Sequence, residues 1–398
     1  MTQDTVLGWS SPVRRLLGGC FVDYLGMGLF LVFSAVYFTQ VVGLTAAQVG
    51  AGLGIAGCLA LATAAPVGRI ADRVGVRRAL IALHLVRALG TGSYALAGEW
   101  WGFLAAVSVV TVADQAIAAL TQAFVAEITG VAGRGRVLAA YRTVANLGIS
   151  IGGPLGGLLV AGGGPAFRIM LLAGAAAYVV VALVLASITV EGRPVTRTVA
   201  GGAAWRDRRV LALASIDTVL QLWLPVLNLG FPLWLTSTGT LPQGWIGGLY
   251  AVNTVLCVLL QVPVVRLART VRAARWCQVA GGAALAGSAL VLWAAGAPGA
   301  PGWLFAAAIV LLTCGELVSV SAAWTLSYAV APEGRRAEYL AAFGMGRSFG
   351  RYALGPVLVT GLLQAFGGWV WGALAVLFAG AGLATLAVRV GLDERVPG

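Results

Sequence analysis

Gly68-Arg69-Ile70-Ala71-Asp72-Arg73-Val74-Gly75-Val76-Arg77-Arg78 separates two long apolar stretches, roughly 47–66 and 79–97. Each stretch has about the 20 apolar residues that a helix needs to cross a bilayer. Gly75 permits a tight turn, and Asp72 suits a helix end or an arginine partner. The run therefore reads as a charged connection between two membrane helices. The same alternation of apolar span and short arginine-bearing connection continues in both directions along the chain.

Twelve segments qualify as spans: roughly 17–39, 47–66, 79–97, 101–125, 138–161, 167–189, 210–235, 244–265, 277–296, 303–328, 340–363 and 369–390, numbered 1 to 12 below. Their length and lack of sustained period-2 alternation favour helices over strands. Composition agrees. Of 398 residues 60% are hydrophobic and 10% charged, whereas a water-soluble domain carries about 25% charged residues. The net charge of +12 raises the question of nucleic acid. The basic residues, all arginine, sit in short connections without an aromatic-interleaved basic face, which argues against it. Cys20, Cys58, Cys257, Cys277 and Cys314 lie in or beside apolar segments without CxxC spacing and read as small core residues.

The arginines also give orientation. Those before segment 1 (Arg14, Arg15), after segment 12 (Arg389, Arg395) and in alternate connections between them share one side, while the opposite connections carry only Arg168. Both termini are thus expected in the cytoplasm, in a multi-pass protein of the plasma membrane. Matching residues recur at fixed offsets. Asp114 and Glu316, Gly148 and Gly350, and Pro154 and Pro356 lie 202 apart, and Asp23 and Asp217 lie 194 apart. This suggests a six-plus-six repeat. The expected organisation is an N-terminal six-helix bundle (1–189), a polar linker (190–209) and a C-terminal six-helix bundle (210–398).

The 68–78 run resembles the signature loop of the major facilitator superfamily, with Gly68, Asp72, Arg73, Gly75 and Arg77 matching and Val76 where a basic residue is common. The resemblance implies an all-α membrane protein with twelve transmembrane helices in two pseudo-symmetric bundles. It also implies a conformational latch of Gly68, Asp72, Arg73, Gly75, Arg77 and Arg78, with Glu127 as a partner for Arg73 or Arg77. Segment 1 carries Asp23-Tyr24-Leu25-Gly26-Met27-Gly28-Leu29, which is similar to the first helix of drug/proton antiporters but lacks their following proline. Segment 5 carries Gly148, Gly152, Gly153, Pro154, Gly156 and Gly157, a partial match to the antiporter signature with spacing one residue short. Physically, such small residues let helices approach closely, and Pro154 bends its helix.

Charges inside a bilayer cost at least ~2.5 kcal/mol each, so they usually face a cavity or a partner. Asp23, Asp114, Asp217 and Glu316 fall on segments 1, 4, 7 and 10, which in the superfamily line the central cavity. Asp23, Asp114 and Glu316 are the candidates for proton coupling. The substrate cavity is expected to draw on Asp114, Glu316, Asp217, Arg142, Arg347, Arg351, Tyr37, Trp223 and Trp324, with Tyr24, Phe124 and Tyr328 as further aromatics. Arg142 is a candidate partner for Asp23 or Asp114, and Arg347 or Arg351 for Glu316. Arg87 reads as snorkelling or structural, and His84, the single histidine, as structural or incidental.

No Walker A loop, metal cluster or enzyme signature stands out, and no cofactor is expected. The resulting expectation is a monomeric secondary transporter that binds a small molecule in the lipid bilayer and draws on the proton gradient. Its expected role is export of an amphipathic drug or natural product by alternating access, as an antiporter. The rivals are a proton-coupled importer of a sugar, amino acid or organic anion, and a membrane receptor that does not transport.

Overall fold

The computed structural model describes residues 9–161, 165–189, 204–332 and 335–388. Among them every regular element is a helix. A backbone in hydrocarbon must satisfy its hydrogen bonds within itself, which a helix does. Ten helices are long and apolar enough to cross a membrane, or eleven if Ser11–Leu31 and Ser34–Val41, bent by 41°, count as one span. Segment 11 accounts for the difference from twelve. The chain there is helical from Arg336 to Phe366 but passes through a π-helical turn, Phe349–Leu354, which divides it into helices of 13 and 12 residues.

Segments 4 and 5 differ from expectation in another way. The sequence places a connection around Arg134 and Arg136, but the backbone stays helical from Trp100 to Ala161 and contains the spans Trp100–Thr129 and Gly133–Val160. No proline lies between these spans to deny the helix a backbone donor. The greater part of the 190–209 linker, residues 190–203, falls outside the described residues, as do Arg389 and Arg395. Arg208 begins the next helix, capped by the Asp207 side chain on the Arg209 amide.

The chain divides into two compact units, Met1–Ser34 with Leu59–Arg197, and Ala35–Cys58 with Thr198–Gly398. In the first, Leu80, Phe124, Val181 and Leu185 belong to one apolar core. Segment 5 packs on segment 1 through glycines at every fourth position. A side chain on Gly148 would come within 2.9 Å of Phe21 O, one on Gly152 within 2.5 Å of Leu25 O, and one on Gly156 would meet Leu29 O. Gly153 and Gly157 are also buried. Small residues at this spacing form one helix face and bring two backbones together.

In the second unit, Gly346 and Gly350 pack on Ala214 and Thr218 of Arg208–Leu220 in the same manner. Gly148 meets Tyr24, and Gly350 meets Thr218, so this contact follows the 202 and 194 offsets of the sequence. Within the same unit, Gly50 and Gly54 lie so close to Pro356 and Ala353 that a methyl group on either would meet a carbonyl oxygen. The outward surface is apolar. Leu89, Leu158, Leu259 and Val376 are 65% to 76% exposed, a face suited to lipid rather than to water.

Candidate functional site

Polar side chains at membrane depth form one network in the first unit and two groups in the second. In the first unit the hub is Arg87, on Val76–Ser93. Its Nη1 donates to Asp23 Oδ1 at 2.6 Å, and its Nε pairs with Asp114 Oδ1. The guanidinium carbon lies 3.9 Å from the centre of the Tyr178 ring. His84, one helical turn before Arg87, shares its face. Its Nδ1 lies 2.8 Å from Leu80 O and its Nε2 3.5 Å from Asp23 Oδ2. Asp23 is thus held from both carboxylate oxygens and is buried, as are His84 and Arg87. The Asp114 side chain retains 32% exposure, so it is the wetter end of the trio.

This overturns one sequence expectation and selects between the two readings of Arg87. Arg142 is exposed and makes no ion pair with Asp23 or Asp114. Arg87, on segment 3, fills that role. Its helix packs against segments 4 and 6, and from there its long side chain reaches between the two acids. It is a structural partner, with its charge turned inward rather than snorkelling.

In the second unit Asp217 is fully buried. Arg347 Nε donates to its Oδ2 at 3.1 Å, and Gln221 Nε2 to its Oδ1 at 2.9 Å. Gln221 Oε1 then accepts from Arg351 Nε at 2.7 Å and from Trp223 Nε1 at 3.2 Å. Arg347 stacks 4.8 Å from the Trp324 ring, and Arg351 lies 5.3 Å from the Trp223 ring. Glu316 belongs to a separate group. Its Oε2 accepts from Asn253 Nδ2 at 3.2 Å, with Cys257 Sγ at 3.9 Å, and Asn253 also donates to Thr313 Oγ1. Neither Arg347 nor Arg351 forms an ion pair with Glu316, and Arg347 is taken up by Asp217 instead.

The remaining candidates are dispersed. Trp223 and Tyr37 are buried, the latter edge-on to Phe38, while Trp324 and Tyr328 stay 41% exposed. Tyr24 meets Tyr141 edge to face. Phe124 has no accessible surface and belongs to the apolar core, which removes it from any binding surface. In the 68–78 connection Gly75 adopts φ +91°, a conformation that only glycine takes without strain. Arg77 donates from Nε to Leu185 O at 2.9 Å and from Nη2 to Ala186 O, capping the end of Ala166–Ala186. Arg73 and Arg77 make no ion pair with Glu127, contrary to the partnership expected, because Arg77 is turned toward that helix end. Gln221, Asn253 and Tyr178 are site residues that the sequence reading passed over. The available signal was an amide or hydroxyl group within an apolar span, one turn from an acid in the case of Gln221.

Comparison with known proteins fits this architecture. The family model described as Major Facilitator Superfamily matches residues 16–353, and the chain belongs to that family. It is accordingly a multi-pass membrane transporter rather than an enzyme. Solved structures with the same fold include nucleoside transporter NupG (15% identity, TM-score 0.78, 95% of this chain and 99% of that one). Others are a D-xylose–proton symporter (15%, 0.75, 97% and 99%) and a bacterial homologue of the iron transporter ferroportin (16%, 0.73, 96% and 99%). No curated protein matches the chain. None of the three structures is described as a drug exporter, so the expectation of drug export gains nothing from them.

Proposed function

We propose that the chain is a proton-coupled secondary carrier in which Asp23, Arg87 and Asp114 take up and release the coupling proton. The observation behind this is two carboxylates sharing one guanidinium within apolar helices. With both acids ionised, the trio carries one excess negative charge. One added proton removes that charge, and the difference is large where the dielectric is low. Asp114, the more exposed acid, is the one a proton reaches first. Glu316, bonded to neutral partners, is a candidate for a second proton or for the solute. The D-xylose–proton symporter of the same fold lends support.

The polar groups of the second unit, Gln221, Arg351, Asn253 and Glu316, favour a small polar solute carried with the proton. Export of an amphipathic compound is the second reading. It rests on the segment 1 pattern and on the segment 5 glycines, and packing against segment 1 already accounts for the latter. The carrier is taken as a monomer in the plasma membrane, with both termini cytoplasmic. Twelve spans form two six-helix halves, with segment 11 crossing despite its π turn, and alternate access by rocking. The 68–78 connection acts as a latch, so Asp72→Asn should cut transport in a protein that still folds.

The test is flux in proteoliposomes under an imposed pH gradient, with a panel of sugars, amino acids, organic anions and amphipathic drugs. Gradient-driven accumulation of a panel member, lost in Asp114→Asn, is the expected result. Gradient-driven expulsion would favour the exporter, and binding without flux a receptor. Normal coupling in Asp114→Asn would remove the trio from the mechanism.

A further inference from the structure

Arg351 is the charged group left over when the second network is complete. Gln221 Nε2 donates to Asp217 Oδ1, which fixes the orientation of the amide and commits its Oε1 to accept. That oxygen holds Arg351 through Nε and Trp223 through Nε1. Asp217, on its other oxygen, neutralises Arg347. The two terminal nitrogens of Arg351 make no hydrogen bond or ion pair with any described residue. Glu316, the other membrane-depth acid among the described residues of this unit, is not within ion-pair distance and is bonded to Asn253. Arg351 is partly buried, about 20 Å along the helical run from Arg336.

A guanidinium anchored at Nε and open at both terminal nitrogens presents a planar fork that matches a carboxylate. Leaving such a charge unmatched at membrane depth is costly. Arg347 also has a buried Nη2 without a hydrogen-bond partner, but Asp217 balances its charge, so one guanidinium charge remains on offer, which suits one monocarboxylate better than a doubly charged phosphate. We propose that Arg351, positioned by Gln221 and Trp223, binds the carboxylate of a small organic monocarboxylate. This rests on the carrier reading above and names the class of its solute.

The test uses 4-fluorobenzoate, with neutral 4-fluorobenzamide and cationic 4-fluorobenzylamine as isosteres. Fluorine NMR follows their binding to the full chain in lipid nanodiscs. Line broadening by the benzoate alone is expected. Arg351→Gln should weaken it about tenfold or more, Arg351→Lys should fall between, and Arg168→Gln, at an exposed arginine outside both networks, should retain it. Equal broadening by the amide, or binding unchanged in Arg351→Gln, would overturn the assignment. Should Arg351→Gln fail to fold, the comparison of acid with amide on the unmodified protein still decides. Uptake of radiolabelled benzoate into proteoliposomes separates the two claims. Binding without flux leaves the site standing and removes the carrier, whereas proton-driven flux of other solutes with no benzoate binding does the reverse.

Discussion

Replacing Arg87 by methionine keeps much of the side-chain volume and removes the charge shared by two acids. Asp23 is only 3% exposed and would keep a single polar neighbour, His84, at 3.5 Å. Breaking a buried ion pair by deleting one partner costs about 3–5 kcal/mol, because the remaining charge is stranded. Asp114, with a third of its side chain exposed, recovers some hydration, so most of the cost falls on Asp23. The assay is reversible unfolding in detergent of Arg87→Met, Asp23→Asn and the double variant. Arg87→Met should lose about 3 kcal/mol or more. The double variant should regain most of it, since a neutral amide at position 23 leaves no charge to strand. Average interhelical hydrogen bonds in membranes contribute only about 0.6 kcal/mol in such cycles. A coupling of that size would refute the view of Arg87 as a charge hub.

Three further outcomes follow from the geometry. Gly152→Val should destabilise the protein by about 1–3 kcal/mol or prevent its recovery as a monodisperse peak, while Gly18→Ala, with nothing within 4 Å of the added carbon, should be neutral in the same chromatographic stability assay. Gly75→Ala forces a side chain to φ +91° and should cost about 1–3 kcal/mol by chemical unfolding. Arg77→Gln removes the two carbonyl contacts at the end of Ala166–Ala186 and should speed amide exchange at residues 183–189 without altering exchange in Val271–Ala295.

The features legible in the sequence are those set by solvent and by period. Apolar lengths and arginine-rich connections mark the spans, and Gly148, Gly152 and Gly156, four residues apart, mark a face that does meet segment 1. Acids at membrane depth pointed to Asp23, Asp114, Asp217 and Glu316, all of which have polar partners. Their partners were not legible. Arg142 is the partner the sequence favours, but an arginine side chain reaches far, and the packing of segment 3 brings Arg87 to the acids instead. Gln221 and Asn253 carry no formal charge, so a search for ionisable groups overlooks them although each organises a network. The unbroken helix through Arg134 and Arg136 was missed because glycine and arginine between two spans signal a connection, while the absence of proline leaves the helix free to continue.

The π-helical turn at Phe349–Leu354 works as a phase adjuster. Each residue of an α-helix advances the direction of a side chain by about 100°, and a π turn spends an additional residue without an additional turn. Before it, Arg347 is aimed at Asp217; within and beyond it, Ala353 and Pro356 are aimed at Gly54 and Gly50. Deleting one residue from the turn would regularise the helix and leave only one of those two registrations intact. Sequences that share this helix should therefore change length at that turn less readily than in the loops at either end.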